Sequence, residues 1–179
     1  MTSKTIHGVT IELARGDIAH QPDMDCVVNA ANAQLRPGGG VAGAIHRAAG
    51  PGLEEECRPL APIRPGEAVI TAAHNLPNRH VIHCLGPVYG SDKPEADLLA
   101  KCYRNALRLA EENRTGSIAF PAISTGAFGY PVEDAARVAL KTILGEIPAL
   151  STVKRIRFVF FHPSDLKIHE QVLEEVGDE

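Results

Sequence analysis

The chain has 179 residues, 44% hydrophobic and 22% charged, a balance typical of one soluble globular domain, and we expect residues 1–179 to form it. A formal net charge of −4 without a long basic run argues against binding to nucleic acid. The absence of both a signal-peptide segment and a run of about 18 apolar residues argues against export and against a membrane span.

Strands and helices alternate along the sequence. Short apolar or alternating runs predict strands at 9–14, 26–30, 68–72, 80–85, 117–120 and 156–161. Helical spacing predicts helices at 41–49, near 53–58, from 94 to about 110, at 133–144, and from a cap at Ser164 or Asp165 to about 176. This alternation predicts an α/β protein whose sheet is covered by helices on both faces.

The cysteines and acidic side chains predict little chemistry of their own. No CxxC pair occurs, so neither a zinc ribbon nor a thioredoxin-type site is indicated. We expect reduced core thiols, except for a more exposed Cys57 after three glutamates, and unpaired thiols fit a cytoplasmic location. No His, Asp or Glu spacing resembles a metal site. Glu54–Glu56 and Glu111–Glu112 are expected on solvated helix faces, and His46 is expected to be a partly buried helix residue.

The segment after the strand at 26–30 predicts a ligand site. Three consecutive glycines at 38–40 allow close approach to a ligand, and a loop that enters a helix points N–H groups at an anion. The amides of Asn29 and Asn32 suit sugar hydroxyls, so phosphate and sugar together predict a nucleotide-like ligand. A glycine-rich turn that only permits close helix packing is the structural alternative.

Gly38, Gly40 and Gly43 match G-x-G-x-x-G, which is typical of dinucleotide-binding enzymes. That interpretation requires the motif directly after a strand and an acidic residue about 20 positions later. Here residues 31–37 intervene, and Glu54–Glu56 come too early in a helical segment. A nicotinamide-dependent dehydrogenase is therefore disfavoured.

A second loop follows the strand at 117–120 and is also rich in small and hydroxyl residues. Its members are Ser124, Thr125, Gly126, Ala127 and Phe128. Because ligands of open α/β sheets bind beyond the carboxyl ends of strands, we expect the two loops to clamp one diphosphate. The structural alternative makes Phe128 and Tyr130 core residues that follow a turn.

Five ordered segments carry a resemblance to a known family. They are RGDI (15–18), VVNAAN (27–32), GGGVAGAIHRAAG (38–50), HCLGPVYG (83–90) and FPAISTGAFGYP (120–131). Over nearly its whole length the chain resembles a macrodomain, in particular the bacterial MacroD-type group. The resemblance implies a three-layer α/β/α sandwich around a mixed, mostly parallel sheet, and an ADP-ribose site without metal or other cofactor.

The resemblance also implies roles for particular residues. Asp17 would accept a hydrogen bond from the adenine amino group, Ile18 would contact adenine through its backbone, and Phe161 would pack on the adenine face. Capping a helix after the first strand is the structural alternative for Asp17. Asn32 would orient the distal ribose, whereas Asn29 is expected to bond loop backbone.

The two loops would hold the rest of the ligand. Gly39, Gly40 and Val41, with Ala42, match the loop around the phosphates and the distal ribose. The loop from Ser124 to Phe128 matches the diphosphate-binding loop, with Phe128 against the distal ribose.

The chain departs from the MacroD-type pattern GGGGVDGAIH at two positions. Pro37 replaces the first glycine and restricts φ, and Ala42 replaces an aspartate that the family uses to activate or position water. A methyl group cannot take a proton, so general-base catalysis from this position is absent. Other branches, including viral macrodomains, resemble this chain in reading GGGVAGA, and some of them are hydrolases in which a substrate phosphate and the asparagine are thought to position water.

The resemblance therefore implies an ADP-ribose-binding protein that acts as a hydrolase. It would release mono-ADP-ribose from acidic side chains of proteins, deacetylate O-acetyl-ADP-ribose, or do both, with Asn32 and Phe128 at the catalytic site. Its expected partners are ADP-ribose and ADP-ribosylated proteins, and we expect a monomer. The alternative is a non-catalytic ADP-ribose reader, because the usual catalytic aspartate is Ala42; a nucleotide phosphatase is a more distant one.

Overall fold

One mixed sheet of seven strands forms the centre of the computed structural model, which describes residues 1–177. The strands are β1 (Thr2–Ile6), β2 (Val9–Arg15), β3 (Cys26–Ala30), β4 (Ala68–Ala72), β5 (His80–Cys84), β6 (Ser117–Phe120) and β7 (Arg155–Phe160). Their order across the sheet is β1-β2-β7-β6-β3-β5-β4. The five inner strands are parallel, and the edge strands β1 and β4 run antiparallel to their neighbours.

Helices cover both faces of this sheet. They are α1 (Gly40–Ala49), α2 (Pro51–Cys57), α3 (Glu95–Glu112), α4 (Val132–Glu146) and α5 (Pro163–Val176), with short 3₁₀ turns at Arg58–Leu60 and Ile147–Ala149. One core joins α3, α4 and α5 to the sheet, and a second core joins α1 and α2 to its other face. The predicted three-layer α/β/α sandwich is confirmed. None of the helices within residues 1–177 is long and apolar enough to cross a membrane.

The inner strands supply both cores because successive side chains point to opposite faces. In β3, Val27 packs towards α1 and α2, whereas Val28 packs towards α3 and α4. Burial on both faces explains why these strands are almost continuously apolar. On the α3 side the rings of Tyr103, Phe120 and Phe158 contact one another, with centroids 5.1–6.0 Å apart. Removing a large apolar side chain from such a core costs about 2–5 kcal/mol.

The ends of the chain differ from the sequence-based expectation. Strand β1 is not predicted, because its polar TSKTI segment forms a half-buried edge with no apolar run. It reaches β2 through a two-residue turn at His7 and Gly8, whose φ values of 49° and 79° suit a tight hairpin. Helix α5 begins at Pro163, with His162 and not Ser164 or Asp165 as its N-cap, because proline is well suited to a first helical turn.

Several side chains expected to be exposed are engaged or buried. Cys57 is fully buried, since it shares one face of α2 with Leu53, and burial raises the pKa of its thiol to about 11. The Glu56 carboxylate accepts hydrogen bonds from the Ala72 amide on edge strand β4, at 3.2 Å. The Glu111 carboxylate accepts hydrogen bonds from the amides of residues 151 and 152. The other three cysteines are free and buried, as expected.

Candidate functional site

Two adjoining cavities lie where the parallel strands end. The first, of about 370 Å³, is lined by residues that follow β3, by the glycine loop and by the loop after β6. The second, of about 470 Å³, is lined by the turn after β2 and by residues that follow β7. Gly40 and Val41 line both cavities, so the two form one continuous cleft over the start of α1. Each volume lies within the range of roughly 300–1,000 Å³ that is usual for small-molecule sites.

The start of α1 lies where the two cavities join, and its backbone has the chemistry to attract an anion. Helix α1 begins after Gly39 with no side-chain cap and no acidic residue in its first turn. The free N–H groups and the helix dipole at this end favour an anion. Gly40 has a φ of 56°, in the left-handed region that favours glycine.

Gly43 allows the glycine loop to lie directly against α1. A Cβ atom on this residue would stand only 2.2 Å from the carbonyl oxygen of Gly38. No side chain fits there, so the loop packs on the helix as closely as backbone permits. Close helix packing, the structural alternative for the glycines, therefore applies at Gly43, and it does not conflict with the ligand-binding interpretation.

Asn32 joins the glycine loop to the end of β3. Its Nδ2 donates to the Arg36 carbonyl oxygen at 2.8 Å, and its Oδ1 accepts from the Arg36 amide at 3.0 Å. The side chain lines the first cavity and retains one N–H and one lone pair for a ligand. Asn32 thus holds the loop and faces the cleft at the same time.

The loop after β6 forms the opposite wall of the first cavity. Ser124 has a φ of 69°, a strained conformation that costs a residue with a side chain about 1–2 kcal/mol, and its buried Oγ has no hydrogen-bond partner in residues 1–177. Gly126, Ala127 and Phe128 line the cavity with it. Thr125 instead donates its hydroxyl to the Ala122 carbonyl oxygen, at 2.9 Å.

Asp17 and Phe161 meet at the second cavity. Asp17 lies in a turn after β2, where its Oδ1 accepts from the Ala19 amide at 2.9 Å, and no helix begins there, so the helix-cap alternative is wrong. Phe161 follows β7 and is 76% exposed, whereas Ile18 is buried. Since β2 and β7 are paired in parallel, their ends bring these distant residues to one place.

Sequence reasoning missed several residues of the second cavity. Ala44 and Arg47 follow Val41 at helical spacing on one face of α1. This spacing is the signal from which their place in the second cavity could have been predicted. Arg47 is the one residue with a permanent positive charge among those that line the two cavities, and Asp17 is the one acidic residue. The other lining residues to which the sequence assigns no role are Gly16, Pro121, Val159 and His162.

Two buried histidines lie behind the first cavity. Asn29 Nδ2 donates to His83 Nδ1 at 3.1 Å, so the proton of this ring lies on Nε2, which faces Thr71 Oγ1 at 3.0 Å. Asn29 therefore bonds a histidine and not the loop backbone that the sequence predicts. Burial lowers the pKa of His83 to about 3 and also lowers the pKa of His46. Both rings are neutral near pH 7 and supply no positive charge to the cleft.

Ala42 lines the first cavity, one helical turn before His46. Neither ring nitrogen of His46 has a hydrogen-bond partner within the described residues, although the ring is buried. Because residue 42 is alanine, this position brings no acid or base to the cleft. Within residues 1–177, no three His, Cys, Asp or Glu side chains are grouped to hold a metal ion.

The mixed seven-stranded sandwich, with a cleft built from two small-residue loops and the ends of β2 and β7, defines a macrodomain. The Macro domain family model matches residues 28–139. The chain belongs to the Macro domain family.

Similar proteins extend this match to nearly the whole chain. A macro domain-containing protein of Chlorobaculum tepidum is 47% identical over 166 residues, which is 92% of this chain and 96% of that protein. An O-acetyl-ADP-ribose deacetylase of Klebsiella pneumoniae is 46% identical over 167 residues, covering 90% and 95% of the two chains. A mutant macrodomain of Oceanobacillus iheyensis, solved with ADPR, superposes with a TM-score of 0.94 at 37% identity and covers 99% of both chains.

Proposed function

We propose that this protein binds ADP-ribose in the cleft and hydrolyses ADP-ribosyl esters. Its substrates are O-acetyl-ADP-ribose, proteins that carry mono-ADP-ribose on acidic side chains, or both. The observation that carries the proposal is the convergence of the loops 38–42 and 124–128 on one cleft that continues to Asp17 and Phe161. The names of the similar proteins, an O-acetyl-ADP-ribose deacetylase and a macrodomain with ADPR, support it.

The base end of the ligand occupies the second cavity in this proposal. The Asp17 carboxylate accepts a hydrogen bond from the adenine amino group, and Ile18 contacts the ring through its backbone. The exposed Phe161 ring packs on the adenine face and loses its contact with water on binding. This use of an exposed aromatic explains why so large an apolar side chain stays at the surface.

The diphosphate lies between the two loops. Backbone N–H groups at the start of α1, next to Gly40 and Val41, provide the attraction that a net charge of −4 does not. Ser124 through Phe128 close the site from the other side, where the unpartnered Ser124 hydroxyl gains a phosphate oxygen. The distal ribose then lies in the first cavity, between Asn32 and Phe128.

Hydrolysis takes place at this distal ribose. With a protein ester, water attacks C1″, the bond from C1″ to the ester oxygen breaks, and the carboxylate leaves. With O-acetyl-ADP-ribose, water attacks the acetyl carbonyl carbon, and acetate and ADP-ribose are formed. Asn32 positions the water with its remaining N–H and lone pair, and a phosphate oxygen of the substrate assists, because Ala42 accepts no proton. General-base assistance contributes about 10²- to 10⁴-fold, so we expect slower turnover than with an acid at position 42.

The proposal is tested with two substrates and two variants. The protein is incubated with O-acetyl-ADP-ribose and with an acceptor mono-ADP-ribosylated on glutamate, and free ADP-ribose is measured. Asn32→Ala is expected to lower both rates by at least tenfold. Asn32→Asp keeps the acceptor for the Arg36 amide but loses both N–H groups, the one donated to the Arg36 carbonyl oxygen and the one left for the ligand, so it is expected to lower both rates as well. Calorimetric titration with ADP-ribose and thermal unfolding check that both variants remain folded.

The second candidate function is a reader of ADP-ribosylated proteins that does not turn over. Ala42 in the cleft and the unpartnered, neutral His46 behind it favour this candidate. Tight binding of ADP-ribose together with release no faster than that of Asn32→Ala would reject the hydrolase and leave the reader. We propose a monomer in either case, which sedimentation velocity tests directly.

A further inference from the structure

A buried side-chain amide lies beneath the turn that carries Asp17. Gln21 is only 8% exposed, and its Nε2 donates to the Asp17 carbonyl oxygen at 2.8 Å. Its Oε1 accepts from Arg157 Nη1, also at 2.8 Å. The two bonds run through one amide, so Gln21 connects the backbone of Asp17 to a charged group within the sheet.

Arg157 is a rigid support for this amide. It lies on β7, is 7% exposed, and shares a face of the strand with Val159, which lines the second cavity. Its guanidinium donates to Glu12 Oε1 on β2 at 3.1 Å and to the two carboxylate oxygens of Asp23 at 2.9 and 2.7 Å. The hydrogen bonds from Arg157, with one from Arg155, hold the pKa of Asp23 well below its ordinary value.

The path of the turn depends on other groups. The Gln21 carbonyl oxygen accepts from the Met24 amide at 3.1 Å and from Asn78 Nδ2 at 2.8 Å. These bonds involve the backbone of Gln21, whereas its side chain bonds Asp17 and Arg157. Loss of the side-chain amide therefore leaves the turn closed but removes a support beneath the peptide that follows Asp17.

The orientation of that peptide determines where the Asp17 carboxylate points. The Asp17 carbonyl oxygen accepts two hydrogen bonds, from the His20 amide at 2.9 Å, which closes the turn, and from Gln21 Nε2 at 2.8 Å, which ties the turn to Arg157. The Asp17 carboxylate accepts from the Ala19 amide, and Asp17 lines the second cavity. A carboxylate selects a hydrogen-bond donor only when its direction is fixed, because a mobile group is satisfied equally well by water.

We propose that Gln21 is a positioning residue that aims the Asp17 carboxylate, so that the cleft selects a 6-aminopurine over a 6-oxopurine ligand. The inference rests on the proposed binding of ADP-ribose. It assigns base discrimination to a chain of contacts from Arg157 through Gln21 to Asp17, of which only Asp17 touches the base.

The test compares ADP-ribose with its hypoxanthine analogue, which carries an oxygen in place of the amino group. Dissociation constants for both ligands are measured by calorimetry. The wild-type protein is expected to prefer ADP-ribose by about tenfold or more, as one hydrogen bond to a charged group provides. Gln21→Glu retains an acceptor for Arg157 but loses the donor to Asp17, and we expect it to reduce this preference about fivefold or more. The affinity for the hypoxanthine analogue should change less than about twofold.

Gln21→Ala and Asn78→Ala complete the set. Gln21→Ala tests the same loss without a new charge, and it should also reduce the preference. Asn78→Ala removes two hydrogen bonds to the backbone of the same turn, those to the Gln21 and Met24 carbonyl oxygens, and it should lower the thermal midpoint while the preference stays unchanged. A role in stability alone would move the midpoint in every variant and the preference in none.

The outcomes separate this inference from the proposed function. A wild-type protein that binds neither ligand contradicts the proposed function itself. A protein that binds both ligands equally, or Gln21 variants that keep the wild-type preference, would overturn the inference and leave ADP-ribose binding intact.

Discussion

The substitution Gly43→Ala tests whether contact between the glycine loop and α1 creates the phosphate site. The added methyl group would stand 2.2 Å from the Gly38 carbonyl oxygen and 3.3 Å from its carbonyl carbon. It would also stand 3.0 Å from Arg47 Nη1. The arginine side chain is able to swing away, but the Gly38 carbonyl belongs to the loop backbone. An ordinary contact therefore requires the loop to retreat by about 1 Å.

This displacement has two consequences of known size. Overpacking of a close contact lowers the free energy of unfolding by about 1–3 kcal/mol. A shift of about 1 Å in groups that position a ligand costs on the order of 10²-fold in function. We therefore expect Gly43→Ala to weaken ADP-ribose binding by about 10- to 100-fold.

Calorimetric titration with ADP-ribose and urea unfolding measure the two effects. Gly145→Ala is the matched control, because it makes the same change within helix α4 with no atom within 4 Å of the new Cβ. The control should gain up to about 1 kcal/mol of stability from helix propensity and keep its affinity. Wild-type affinity in Gly43→Ala would refute the argument that loop contact shapes the phosphate site, even if stability falls.

Three further predictions concern other parts of the molecule. Phe161→Ala should change the free energy of unfolding by no more than about 0.5 kcal/mol in urea unfolding, because the ring is exposed, while calorimetry shows ADP-ribose affinity reduced about tenfold. Ala42→Asp should raise the rate of ADP-ribose release, and its carboxylate, one turn before His46, should raise the pKa of that ring in an NMR titration. The pKa of His83 is about 3 in the folded state, below the unfolded value of 6.5, so the unfolded state binds the proton more readily. The free energy of unfolding should therefore fall by up to about 1.4 kcal/mol per pH unit as pH drops from 6.5 towards 3. His83→Gln should flatten this slope in urea unfolding.

Each of these predictions has an outcome that contradicts it. A large loss of stability in Phe161→Ala would mean that the ring supports the fold. An unchanged rate in Ala42→Asp would show that water positioning has another solution in this cleft. A pH slope that is the same with and without His83 would assign the acid sensitivity to other groups.

The loops of the cleft were predictable from the sequence because glycine, asparagine and hydroxyl residues act locally. The glycines at 38–40 predict a backbone that adopts conformations closed to other residues, and Gly40 adopts the left-handed one. The burial of Cys57 and the role of Glu111 were not predictable in the same way. Both depend on which element lies opposite a helix face, and a helical pattern does not contain that information.

The predicted site residues show the same difference between features that depend on the local sequence and features that depend on packing. The small-residue loops line the cleft as the sequence predicts, but Thr125 bonds the Ala122 carbonyl oxygen, and Arg47 enters the second cavity from a helix face. The connection from Arg157 to Gln21 has no signature in the sequence, since its members are 136 residues apart.

Local sequence patterns predicted the α/β class, most of the strands and helices, and the two loops, because hydrophobic period and glycine content are properties of short segments. Which strand ends lie side by side is visible only in the tertiary structure. Leu13 of β2 pairs with Phe158 of β7, and this long-range register carries Asp17 to Phe161. Such pairing depends on how both faces of the sheet are buried at once, and only the folded chain satisfies that condition.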